Sequence, residues 1–155
     1  MDQKILIKTL SYPLLTSGII MIILGLRWVI NPEPWLLDEI ANVERLGMSF
    51  DDLFKAEINK TLPGYLKQIY EFFGLWVIII GLFITNYSLP KKIIKKDIAI
   101  PLLTIFFFLV ISGLFFGYKL IPNSHFIYLG WMQMIAFIIS LFSFYKLESA
   151  KNETM

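Results

Sequence analysis

The stretch TLSYPLLTSGIIMIILGLRWVI, residues 9–30, carries a single charged side chain, Arg27, and runs into Asn31-Pro32-Glu33-Pro34. An α-helix rises about 1.5 Å per residue, so a run of this length matches the roughly 30 Å hydrocarbon core of a bilayer. It predicts a membrane-spanning helix that stops at the prolines. Lys4 and Lys8 precede it and no small-x-small cleavage site follows, the pattern of a retained signal-anchor rather than a cleaved signal peptide.

Three further stretches share this character, residues 68–87, 98–118 and 126–145, and none has a charge in its middle third. Of the 155 residues, 57% are hydrophobic and 17% charged, against about 45–50% apolar and 25% charged in a soluble domain. A soluble domain of this size has too little interior to hide that excess. The expected fold is therefore all-α: a polytopic membrane protein, a single membrane domain over residues 1–155, built as a bundle of four transmembrane helices. Lys4, Lys8, Lys91, Lys92, Lys95, Lys96, Lys146 and Lys151 fall on one side of such a bundle. Positive flanks are retained in the cytoplasm, which predicts a multi-pass protein of a cell membrane with both termini cytoplasmic. Tyr12, Trp28, Trp35, Tyr65, Tyr70, Tyr87, Tyr118, Tyr128 and Tyr145 lie near the expected span ends, where amphipathic rings anchor at the headgroup level.

Residues 31–67 form the outer segment between the first two spans, too long for a plain connector. Leu36, Ile40, Val43 and Leu46 recur at helical spacing before Gly47, and Ser49 with Asp52 reads as a capping-box-like start for a second short helix carrying Phe50, Leu53, Phe54 and Ile58. These amphipathic helices are expected either to lie on the membrane surface or to fold over the bundle as a lid. Three Asn-x-Ser/Thr triplets, at Asn59, Asn86 and Asn152, are read as chance.

Helices in lipid hold together through close approach of small residues and interhelical polar contacts. Gly18 and Gly25, and likewise Gly74 and Gly81, are spaced to share one face of their spans, a common packing solution in GIIMIILGL and GLWVIIIGL. Gly113 with Gly117, and Ala136 with Ser140, have small-xxx-small spacing and suggest that the third and fourth spans pack closely. Pro13 and Pro101 are expected in first turns, where the missing amide hydrogen does no harm.

The chain has no cysteine and one histidine, which argues against disulfides, thiolate chemistry and multi-histidine metal centres. No phosphate loop, dinucleotide fingerprint or nucleophile elbow is present, so no catalytic residue, cofactor or metal is assigned. The net charge of +2 lacks a basic, aromatic-laced helix, and nucleic acid is not an expected partner. Polar groups within the spans gather in the outer half. Arg27 and Glu71 each lie about 5 Å below the outer boundary and Gln133 about 11 Å below it, with Trp131 nearer the outside. An ionisable group is costly at the bilayer centre and cheaper near a span end, where it can snorkel. Arg27 thus reads as a snorkelling anchor or as an inward partner of Glu71. Arg27, Glu71, Trp131 and Gln133 are the ligand-binding candidates.

The order GLRWVINPEPWLLD, an acidic outer segment, then LPGYLKQIYEFFGLW resembles small four-helix membrane proteins of the DoxX-like group and, more distantly, the EXPERA group of sterol isomerases and the sigma-2 receptor. The latter resemblance implies a pocket for lipophilic amines or sterols containing acidic side chains, matched by Glu71 and, less closely, Asp38; the histidine expected of the isomerases within the pocket is not evident. The expected function is a lipid- or lipophile-binding module or an accessory subunit of a membrane complex. The alternative is a membrane enzyme acting on a lipophilic substrate through Glu71 and Arg27. Beyond the bilayer, the expected partners are a lipid or lipophilic small molecule, a membrane-protein partner, or further copies of the chain.

Overall fold

Apolar residues without a β-type alternation, broken by Pro and Gly only at intervals, leave helix as the consistent choice. The computed structural model describes residues 2–152 and is helical throughout; Glu153 and Thr154 of the third Asn-x-Ser/Thr triplet lie outside the described residues. Four helices are long and apolar enough to cross a membrane: α1 (Gln3–Ile30), α4 (Leu62–Tyr87), α6 (Lys96–Leu120) and α7 (Phe126–Asn152). Between the first two lie a 3-10 turn, Pro34–Asp38, and the short helices α2 (Glu39–Leu46) and α3 (Phe50–Lys55). One turn of helix, α5 (Pro90–Ile93), interrupts the lysine-rich link from α4 to α6.

Three of the four long helices start earlier than their apolar runs. Asp2 caps α1, its side chain accepting from the Lys4 amide at 3.0 Å, Pro63 sits in the first turn of α4, and Lys96 and Asp97 open α6. Pro13 and Pro101 consequently sit inside their helices, not in the first turns expected of them. Hydropathy marks where a helix is apolar, whereas its ends follow caps and prolines.

The bundle is organised around α1, which packs along α4 on one side and α7 on the other, while α6 packs on α7 and barely meets α4. The α1–α4 seam is made by glycine. A Cβ on Gly25 would lie 2.6 Å from the Gly74 carbonyl oxygen, one on Gly74 2.7 Å from that of Gly25, and one on Gly81 2.7 Å from that of Gly18. Residue number rises in α1 as it falls in α4, so the pair is antiparallel and each heptad step returns a glycine to the crossing. Lys96 at the start of α6 pairs with Glu148 near the end of α7 at 3.9 Å, so these two also run in opposite directions.

Two ends follow. The terminal end holds the start of α1, α5 and the end of α7, and here the core is closed: Leu10, Leu14, Ile84, Ile93 and Phe106 are essentially inaccessible. The segment between α1 and α4 lies across the other, capped end. A cluster of Trp35, Phe50 and Phe54, with ring centroids 5.4–6.1 Å apart, gives this cap its own small core. Gly47, at φ 71°, ends α2 in the left-handed conformation that a residue with a side chain rarely adopts.

The cap faces the opposite way from its apolar stripe. Ile40 is 79% exposed, and Leu36 and Leu46 are exposed too, while Ala41 on the other face is 2% exposed. Asp38 and Asn42, one helical turn apart, point toward the bundle through contacts described below.

Candidate functional site

Because α4 and α6 diverge while the cap bridges above them, the capped half of the bundle is hollow. A cavity of about 390 Å³ lies between α1, α4, α6, α7 and the cap, within the 300–1,000 Å³ range of small-molecule sites. Its wall is mainly apolar, with Met21, Leu24, Val77, Leu109 and Leu129 among its residues. Trp28 also lines it, packed at a tilt between Phe73 and Phe126 at centroid distances of 4.9 and 5.4 Å, so one indole ties α1 to both α4 and α7.

Polar groups occur at two levels. At the cap, Asp38, Asn42 and Tyr70 line the cavity. The Asn42 amide donates to the Trp35 carbonyl at 2.8 Å and to the Tyr70 hydroxyl oxygen at 3.3 Å, holding the cap to α4. Ser124 donates its hydroxyl to Asp38 at 2.5 Å and accepts the Phe126 amide at 3.1 Å, so one buried serine caps α7 and anchors the lid. His125 Nδ1 lies 3.2 Å from the other Asp38 oxygen, and Asn123 donates to Glu44 at 2.6 Å. Both Asp38 oxygens are therefore engaged by the loop before α7. Among the described residues no third acidic or histidine ligand completes a metal site around this pair.

Deeper in, Gln133 of α7 lines the cavity, and its Oε1 is buried with no hydrogen-bond partner among the described residues. On its other side it borders an open groove between α1 and α7. An unsatisfied buried acceptor costs about 1–3 kcal/mol; with almost no accessible surface of its own, this oxygen meets a donor in the cavity only after a turn of the Gln133 side chain.

Of the four sequence candidates, Gln133 is the one that the cavity wall includes. Arg27 is exposed at the capped shoulder of α1, beside Leu37 and Phe126, with no ion pair within 4 Å among the described residues. Glu71 pairs with Lys67, one turn earlier on α4, at 3.8 Å. The structure does not bring Arg27 and Glu71 together. Trp131 is half-exposed, and its indole N–H donates to the Tyr118 hydroxyl at 2.9 Å, fastening α7 to α6.

Asn42 is not among the sequence candidates, Tyr70 is expected only as an interfacial anchor, and Asp38 enters by resemblance alone. A signal did exist: Asp38 and Asn42 are four apart, on the face opposite the apolar stripe, and a polar face can be the inward one when it meets a polar bundle end.

Fold and site together define a capped four-helix bundle with a partly open, mainly apolar cavity that has hydrogen-bonding groups at two depths. No protein-family model matches the chain, and no curated protein or solved structure does.

Proposed function

We propose that this chain is an integral membrane protein whose four long helices cross a cell membrane with both termini cytoplasmic, and that it binds a lipophile with a hydroxyl-bearing head in the capped cavity. Most of each helix's apolar surface faces outward, with only 17–33% of the most apolar window of each buried within the protein; such a surface is at home in lipid and not in water. The lysines gather at the terminal end and the acidic residues at the cap, in keeping with a cytoplasmic terminal end.

One observation carries the binding assignment: a mainly apolar cavity whose wall includes Gln133, with the partnerless amide oxygen buried just behind it. Its free valence calls for a donor, and the cap adds the Asn42–Tyr70 pair. Neither level offers an unpaired charge, since Asp38 is already bonded by Ser124 and His125. A neutral head that both donates and accepts, on an apolar body, satisfies these groups. The EXPERA resemblance points the same way, with Asp38 rather than Glu71 as the acidic side chain beside the pocket.

Native mass spectrometry of the mildly extracted protein tests this. Wild type is expected to release a bound lipophile, and Gln133→Leu, close in volume but without the amide, is expected to lose it while remaining folded. Equal retention by the two proteins, or a wild type that carries nothing, contradicts the assignment. An accessory-subunit role finds its support in the outward apolar stripe of the cap, Leu36, Ile40 and Leu46; a protein partner retained in the same spectra is its mark.

A further inference from the structure

The cavity does not end at its α6 wall. Gly113 is part of that wall, and a Cβ built on it meets nothing within 4 Å. A second recess, of about 290 Å³, begins at the same glycine and follows Phe116, Gly117 and Leu120 along α6, with Ile127 of α7 beside it. Positions 113, 116, 117 and 120 share one helical face. The two spaces have Gly113, Ile121 and Phe126 in common, so they adjoin there, and of the three only Gly113 puts no side chain between them.

The small-xxx-small spacing of Gly113 and Gly117 would ordinarily mean close helix packing. At Gly113 no helix is packed, in contrast with Gly25 and Gly74, where a Cβ would strike the opposite backbone. A glycine in a helix interior is less favourable than alanine, and at Gly113 no packing gain offsets it. What the missing side chain provides is an opening. Size gives that opening a use. An apolar cavity of about 150 Å³ takes one benzene, so one of 390 Å³ holds the head and first part of an amphiphile but not a chain of membrane length.

We propose that the occupant is a single-chain amphiphile whose tail leaves the cavity past Gly113 and lies in the groove along α6, so that Gly113 sets the longest chain the protein accepts. The proposal rests on the lipophile-binding assignment above. A head at Gln133 or the Asn42–Tyr70 pair directs the chain toward the α6 wall, and the groove continues in the lipid-facing surface, where a protruding tail stays in an apolar medium. Position 113 has room for a Cβ, so a phenylalanine there would put its ring into the opening, whereas alanine would leave it largely clear.

Photolabelling of the full chain in phosphatidylcholine nanodiscs separates this proposal from the one beneath it, using octyl and hexadecyl alcohols that carry a diazirine at the chain end, with saturable labelling defined by excess unlabelled alcohol. In wild type, the octyl probe is expected to label the cavity wall around Val77 and Gln133, and the hexadecyl probe the groove around Phe116 and Leu120. Gly113→Phe is expected to lower saturable hexadecyl labelling relative to octyl labelling by about tenfold, a 1.4 kcal/mol change in binding, with unchanged helix content by circular dichroism reporting an intact fold. Undiminished hexadecyl labelling in Gly113→Phe overturns the tail exit and leaves lipophile binding standing. Absence of saturable labelling of wild type by either probe overturns both.

Discussion

Gly25 and Gly113 lie on different helices of one bundle and are expected to answer the same substitution in opposite ways. At Gly25 a new Cβ meets the Gly74 carbonyl oxygen at 2.6 Å, and backbone cannot move aside as a side-chain tip can. Gly25→Val should therefore push α1 from α4 and destabilise by about 1–3 kcal/mol or more, the range for overpacking, whereas Gly113→Val should be close to neutral; unfolding in mixed micelles titrated with denaturing detergent measures both. The sequence separates these glycines only in part. Four glycines spaced by seven mark one face on each of two runs without naming its partner, and the structure pairs Gly18 with Gly81 and Gly25 with Gly74. Gly113 and Gly117 carry as good a signature, yet spacing says only that a close approach is allowed, and at Gly113 no helix uses it. Arg27 was legible as a shoulder charge, but its direction depends on the rotation of α1, which the Gly18–Gly25 face against α4 decides.

Among the elements, the cap differs most from its sequence pattern. Its helices, the Gly47 stop and the Ser49 cap were all readable from residue order, and the Asp52 amide indeed donates to Ser49 Oγ at 3.1 Å. The inward face was not readable, because an amphipathic pattern tells which residues differ and not which medium each face meets. Asp38 and Asn42 turn inward because Ser124 and Tyr70 give them partners there, and the stripe of Leu36 and Ile40 is left outside. Asp38→Ala should leave the buried Ser124 hydroxyl short of its acceptor, at a cost of about 1–3 kcal/mol. Hydrogen exchange should then speed up across residues 34–46 and at the start of α7, with the α1–α4 seam unchanged; unaltered protection of the cap would mean that Asp38 does not hold it down. The start of α3 has a pH dependence of definite sign. The Ser49 hydroxyl and the Lys55 ammonium hold the Asp52 carboxyl below its ordinary value of 3.8. A group depressed in the folded state stabilises above its ordinary value and loses that contribution as pH falls from there through the folded value. The α3 amides should be protected at neutral pH and begin to exchange faster below about pH 4.

For the whole molecule, four long apolar runs separated by charged links were enough to foresee four long helices, since length and hydropathy act locally. The hollow in the capped half was not foreseeable, because it arises from α6 leaning on α7 while α4 follows α1, a difference in helix pairing that no single span encodes. The chain has no cysteine, so single cysteines report sidedness cleanly: Met48→Cys on the cap should react with a membrane-impermeant maleimide on intact cells, and Lys95→Cys only after permeabilisation. The reverse pattern would invert the proposed orientation. The central claim is that the space between α4 and α6 holds a lipophile. An experimental structure of the protein in a lipid nanodisc tests it most directly: the expected result is continuous density in the cavity, with a polar end at hydrogen-bonding distance from Gln133 or from the Asn42–Tyr70 pair, and a bundle closed by contact of α4 with α6, or a cavity holding only water, would contradict it.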